Sequence, residues 1–111
     1  MYYKKDGKMY TIVESEIFKG KVGKIWTEEE RLEFFTYLSQ NPLMGDVIKG
    51  AQGLRKIRWQ TPGRGKRGGA RVIYFNVFDD GFILVLDVYV KNEQENLSKK
   101  DLKLLSERKN A

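Results

Sequence analysis

The sequence predicts an α+β fold, one or two helices packed on a mainly antiparallel sheet with a short C-terminal helix, and three features carry that prediction. A capping box, Thr27 followed three residues later by Glu30, opens a segment with helical spacing of its apolar residues. From Leu54 the period shortens to two, the repeat of a strand with one buried face. Asp79-Asp80-Gly81 then separates two long apolar runs, the pattern of a hairpin.

In chain order, residues 1–8 read as a ragged extension, and residues 9–14, Met-Tyr-Thr-Ile-Val-Glu, carry the β-branched and aromatic content of a first strand. Ser15 to Ile25 holds a short helix that Gly20 and Gly23 are expected to break. The main helix runs from Thr27 to about Gln40. Leu32, Phe34, Phe35 and Leu38 form its packing face, and Glu28, Glu29 and Glu33 sit toward the positive end of its dipole. Asn41-Pro42 stops it, and a loop through Gly45, Gly50 and Gly53 follows. In the next strand Ile57 and Trp59 point one way and Lys56 and Arg58 the other, so Trp59 reads as core. After the basic loop Gly63 to Gly69, Ala70–Phe78 and Phe82–Val90 complete the hairpin. Both runs are almost continuously apolar, which asks for cover on both faces; a protein partner could supply what one helical layer does not. Ser98 to Asp101 resembles another helix start, with Leu102, Leu104 and Leu105 on a cationic terminal helix. At 111 residues, positions 1–111 form a single domain.

Composition limits the chemistry. The chain has no Cys and no His, which excludes disulfides, thiolate metal sites, thiol nucleophiles and imidazole catalysis. Its carboxylates cluster on the main helix or stand singly, whereas a two-metal nuclease needs several in one pocket, so no metal or cofactor is expected. No secretory signal and no long apolar run is visible, so the cytoplasm is the expected compartment and a membrane partner is not. The net charge of +6 is concentrated: residues 47–78 hold eight cations (Lys49, Arg55, Lys56, Arg58, Arg64, Lys66, Arg67 and Arg71) and no Asp or Glu. Such a block is the footprint of a surface that binds phosphates.

Gly63-Arg-Gly65-Lys-Arg-Gly68 satisfies G-x-G-x-x-G, but a dinucleotide site needs a helix directly after it, and here a strand follows. Arg64, Lys66 and Arg67 make it a basic finger instead. Lys56 and Arg58 enter that loop and Arg71 leaves it, so the hairpin brings the three together. Repulsion among clustered cations favours a neutral lysine, which could take the proton of a ribose 2′-hydroxyl while guanidinium groups stabilise the charge growing on phosphate. Passive phosphate contact uses the same residue types and stays open at this point. Tyr89 and Lys91 emerge at the end of the last strand; Tyr89 either stacks on a base, joins proton transfer or is a structural tyrosine.

Four blocks in order, Asn41 to Gly50, Gly53 to Arg58, Gly63 to Tyr74, and Tyr89 to Glu93 with Leu97-Ser98, resemble the HigB branch of RelE-type toxins, a likeness extending over most of residues 9–107. The resemblance implies a RelE-like fold and a ribosome-dependent mRNA endonuclease that cuts in the ribosomal A site without metal, leaving a 2′,3′-cyclic phosphate and a 5′-hydroxyl. It implies as partners a HigA-type antitoxin and the 70S ribosome with its mRNA and rRNA. Lys56 and Arg58 fall at the family's basic strand positions, Arg71 at the arginine opening the next strand, and Lys91 near the basic position after the last. With Tyr89 these are the catalytic candidates; Lys49, Arg55, Arg64, Lys66 and Arg67 are the candidates for RNA and ribosome contact. The family pattern also carries a tyrosine farther on, where this chain has Leu97 and no tyrosine after Tyr89, leaving Tyr89 as the candidate replacement. The competing functions are a non-catalytic toxin of ParE type, against which the Lys56, Arg58 and Arg71 cluster argues, and a plain RNA-binding module.

Overall fold

A computed structural model of the chain describes residues 10–60 and 69–90, together with Leu104 and Glu107. The expected 1–8 extension and the basic loop residues Arg64, Lys66 and Arg67 therefore lie outside the described residues. So do Lys91 and the C-terminal segment, apart from Leu104 and Glu107, which are helical. Strand β1 (Thr11–Glu14) leads into helix α1 (Glu16–Val22) and helix α2 (Glu28–Gln40), followed by β2 (Asp46–Val47), β3 (Arg55–Gln60), β4 (Gly69–Val77) and β5 (Phe82–Val90). The five strands form one sheet in the order β1-β5-β4-β3-β2. Only the β1–β5 pairing is parallel; β5–β4, β4–β3 and β3–β2 are antiparallel, giving the mainly antiparallel α+β architecture the sequence predicts. No described helix is long and apolar enough to cross a membrane.

Local chemistry accounts for the helix and turn boundaries. The Thr27 hydroxyl accepts from the Glu30 N–H and the Glu30 carboxylate accepts from the Thr27 N–H, a closed capping box worth about 1 kcal/mol. Gly81 closes the β4–β5 turn at φ 77°, a left-handed conformation that glycine adopts without a Cβ clash. Helix α1 departs from expectation at Gly20, which lies inside the helix; the helix ends instead at Gly23. Ser15 caps its start by accepting from the Phe18 N–H, and Phe18 and Val22 are buried. The packing of those two residues outweighs the roughly 1 kcal/mol that a helical glycine costs.

Helix α2 covers one face of the sheet. Phe34, Phe35 and Leu38 pack against Ile57, Val72, Tyr74, Val85 and Val88. Trp59, half-buried, stands edge-on to Phe34 at 5.5 Å and lies 4.9 Å from Tyr37, so it belongs to this core as expected. Leu32 does not join the packing face: it is 45% exposed. Arg31, one residue before it, turns to β1 and donates to both oxygens of Glu14 at 3.0 and 3.1 Å.

The second sheet face is covered in part by the chain itself. Ile48, Ala51 and Leu54, from the segment between β2 and β3, gather with Ile17, Ile73, Phe75, Leu84, Leu86 and Tyr89. The two-sided apolar character of β4 and β5 is thus met over part of their length without a partner. β2 was not foreseen. Its two residues pair with Lys56 and Arg55 and form one edge of the sheet. At the other side, β1 accompanies β5 only as far as Val85, and α1 runs beside the remainder. The Ser15 hydroxyl donates to the Leu86 carbonyl at 2.7 Å, and Lys21 Nζ donates to Asp87 Oδ1 at 2.8 Å. A helix thereby shields an edge that would otherwise offer free backbone groups.

Candidate functional site

Register decides which side chains meet on the sheet face opposite α2. Arg58 pairs with Arg71, and Arg71 with Tyr89, so these three form one row across β3, β4 and β5. The neighbouring row runs Asp46, Lys56, Ile73, Asp87. Directly opposed residues have Cβ atoms about 5 Å apart, and same-face neighbours along a strand are about 7 Å apart. Lys56, Arg58 and Arg71 are consequently brought together, as the hairpin spacing implied. Arg58 is exposed, Lys56 and Arg71 are half-buried, and none of the three forms an ion pair among the described residues. Three unpaired cations of one sign on a pleated face repel one another and create a local positive potential suited to an anion.

Tyr89 ends the Arg58–Arg71 row but is 3% exposed, and its hydroxyl is buried without a hydrogen-bond partner among the described residues. Trp26 Nε1, Trp59 Nε1 and Asn76 Oδ1 share that state among the described residues. Burial raises the Tyr89 pKa above its ordinary 10.0, with the Arg71 charge opposing the shift. The phenol therefore stays protonated at neutral pH. In this conformation its ring is closed to stacking from solvent.

Asp87, at strand spacing from Tyr89, is also buried, and its Oδ1 accepts from Lys21 Nζ and from the Val88 N–H, both at 2.8 Å. A carboxylate set in an apolar run is legible in the sequence; its partner Lys21 is not, because that contact depends on α1 docking beside β5. Asp46, opposite Lys56 in the β2–β3 pairing, was missed for the same reason as β2 itself: two residues are too few to show a period.

Arg55 lies elsewhere. Its position in β3 is on the α2 side, opposite Tyr74, and its guanidinium donates to the Gly45 carbonyl at 2.7 Å and the Leu43 carbonyl at 3.3 Å. The strict alternation of β3 already separates it from Lys56 and Arg58. Tyr74 completes this lock: its hydroxyl donates to the Pro42 carbonyl at 2.8 Å and accepts from the Gly45 N–H at 2.9 Å. Arg55 thus holds the segment preceding β2 rather than extending the Arg58–Arg71 row. Lys49 is exposed on the segment after β2, apart from the two paired rows.

No protein-family model matches the chain. Among solved structures it is similar to a mutant of E. coli toxin RelE in the free state, with a TM-score of 0.59 and 14% sequence identity over 91% of this chain and 97% of that one. The fold is therefore RelE-like.

Proposed function

We propose that this protein is the toxin of a type II toxin–antitoxin system and an mRNA endonuclease of the HigB branch, acting on message in the ribosomal A site. The observation that carries the reading is the opposed Arg58 and Arg71 beside Lys56, cations without an ion pair among the described residues, on the sheet face opposite α2 of a RelE-like fold. Plain solubility does not require such a cluster, because scattered charge serves solubility as well.

In this reading the two guanidinium groups hold the scissile phosphodiester and stabilise the charge that builds on its oxygens as the ribose 2′-hydroxyl attacks phosphorus and the bond to the 5′-oxygen of the next nucleotide breaks, leaving a 2′,3′-cyclic phosphate and, with a proton from water, a 5′-hydroxyl. Lys56 is the amine placed to exchange the proton of that hydroxyl. The buried, protonated Tyr89 phenol stands next to Arg71. Arg64, Lys66 and Arg67 grip ribosomal RNA through phosphate contacts, Lys91, next in sequence after Val90, supplies a further cation, and a HigA-type antitoxin silences the protein.

Primer extension on mRNA translated in the presence of the purified protein tests this. New 5′ ends are expected with wild type and are expected to vanish with Lys56→Ala and Arg71→Ala. Inhibition of translation without new ends would remove the nuclease reading and favour a toxin that blocks by binding. Equal cleavage by both variants would remove the site assignment alone.

A further inference from the structure

The sheet face opposite α2 carries an exposed carboxylate in a place that phosphate binding does not account for. Asp46 of β2 is directly opposed to Lys56 of β3, which puts both side chains on that face with Cβ atoms about 5 Å apart. Arg58 follows Lys56 at strand spacing and Arg71 lies diagonally across on β4. A carboxylate bordering these cations costs affinity for phosphate, since like charges repel. Asp87, in the same row, is buried and accepts from Lys21 and the Val88 N–H; Asp46 is exposed and, like Lys56, has no ion pair among the described residues. The backbone that carries Asp46 is nevertheless held firmly. The Gly45 N–H donates to the Tyr74 hydroxyl at 2.9 Å, the Gly45 carbonyl accepts from Arg55 at 2.7 Å, and after β2 the Ile48 N–H donates to the Leu54 carbonyl at 2.9 Å. A two-residue strand is thus pinned on both sides, and what the pinning fixes on this face is the place of a carboxylate relative to Lys56.

We infer that Asp46 is a positioning residue for Lys56: its carboxylate accepts from Lys56 Nζ when the lysine turns to RNA, aims the amine at the ribose 2′-hydroxyl, and stabilises the ammonium that forms there. The inference rests on the RNA-cleaving reading and deepens it by naming the group behind the amine. The proton passes from the 2′-oxygen to Nζ while that oxygen bonds to phosphorus, and Asp46 takes none. The positive charge on Nζ arises opposite a carboxylate, so their attraction is greater in the transition state than before it, which is the condition for it to raise the rate. The flexible four-carbon stem of lysine spans the gap that register leaves. The other charged groups around Lys56 do not serve: Arg58 and Arg71 share its sign, Asp87 lies beyond Ile73 and is tied to Lys21, and Arg55 is on the α2 side. Base recognition is another use of a carboxylate on an RNA-binding face, but it needs the acid clear of a competing amine, and Lys56 stands directly opposite.

Cleavage on ribosomes programmed with message, at varied concentration, gives kcat and KM, and ribosomes carrying a 2′-O-methyl message, which cannot be cut, give binding alone. Asp46→Asn is expected to lower kcat by about 10- to 100-fold, a fraction of what a positioned general base contributes. Its KM and its binding of the uncut message are expected to stay the same or tighten, because a negative charge leaves a phosphate-binding face. Asp46→Glu, which keeps the carboxylate, is expected to recover most of the lost rate. Asp80→Asn, at an exposed carboxylate in the β4–β5 turn, is expected to cut as wild type and separates the effect from net charge. The urea midpoint of Asp46→Asn is expected to match that of wild type. Unchanged kcat in Asp46→Asn would overturn the proposal. A raised KM with kcat retained would also overturn it and mark a base-reading contact, and a slow Asp46→Asn with a lowered urea midpoint and no recovery in Asp46→Glu would mark a structural role instead. The two readings fail separately: wild type that cuts while Asp46→Asn keeps its kcat loses the positioning role and keeps the function, whereas wild type that makes no new 5′ ends loses both.

Discussion

Arg58 and Arg71 face each other across the β3–β4 ladder, two guanidinium groups of the same sign at directly opposed positions of one sheet face. Like charges so placed destabilise a sheet by roughly 0.2–1 kcal/mol. In the proposed function the RNA phosphate supplies the opposite charge that neither position of the pair carries.

Replacing either arginine by threonine should therefore separate stability from activity. Arg58→Thr and Arg71→Thr are each expected to raise unfolding stability by about 0.5 kcal/mol in urea titrations. The same variants are expected to lower mRNA cleavage by about 10²- to 10³-fold, the usual cost of removing a group that stabilises developing charge. Loss of stability in both variants would show that the pair is held by contacts other than the ligand's.

Tyr89→Phe removes a buried hydroxyl that has no partner among the described residues, and is expected to stabilise the free protein by about 1 kcal/mol. Its pH dependence follows from the raised pKa caused by burial. Between the unfolded value near 10.0 and the higher folded value, the folded chain holds a proton that the unfolded chain has released. Stability contributed by this phenol is therefore complete below about pH 10 and is lost as pH rises through the folded value. Urea midpoints from pH 8 to 11 are expected to fall less steeply in Tyr89→Phe than in wild type.

The Tyr74 lock gives a third test. A Cβ on Gly45 would lie 2.7 Å from the Tyr74 hydroxyl oxygen and 2.8 Å from its ring, inside a buried contact. Gly45→Ala is expected to destabilise by about 1–3 kcal/mol, as overpacking does. Tyr74→Phe is expected to cost a similar amount, since it leaves the buried Gly45 N–H without its acceptor. Chemical denaturation measures both, and a double variant that costs no more than either single change would confirm that they act on one contact.

Asp87 accepts from the Val88 N–H and from Lys21, and Asp87→Ala is expected to cost about 2 kcal/mol because a backbone donor is left unsatisfied. Lys21→Met is expected to cost less, about 1 kcal/mol, because Lys21 is 44% exposed and its charge is screened by water. Amide exchange at Val88 should quicken in the first variant and change little in the second.

Much of the secondary structure was legible in order, because its determinants are local. The Thr27–Glu30 box starts α2 where expected, β5 spans Phe82–Val90 as read, and β4 differs from Ala70–Phe78 by one residue at each end. Alternation along β3 likewise put Lys56 and Arg58 on one face and Trp59 on the other. The misreadings concern what a residue meets from a distant segment. Gly20 stays helical because Phe18 and Val22 are buried in the core. Leu32 is exposed although its spacing along α2 matches that of the packing face.

By itself, the sequence determined the class of fold, the order of most elements, the concentration of cations between residues 47 and 78, and the absence of Cys and His. Those follow from composition and from periods of two and 3.6 residues, which each segment carries within itself. Only the tertiary structure decided that Arg58, Arg71 and Tyr89 share a row, that β1 lies parallel to β5, and that α1 brings Lys21 to Asp87. Strand register and helix docking are long-range choices, set by how buried surfaces fit together across the whole domain, and no local period encodes them.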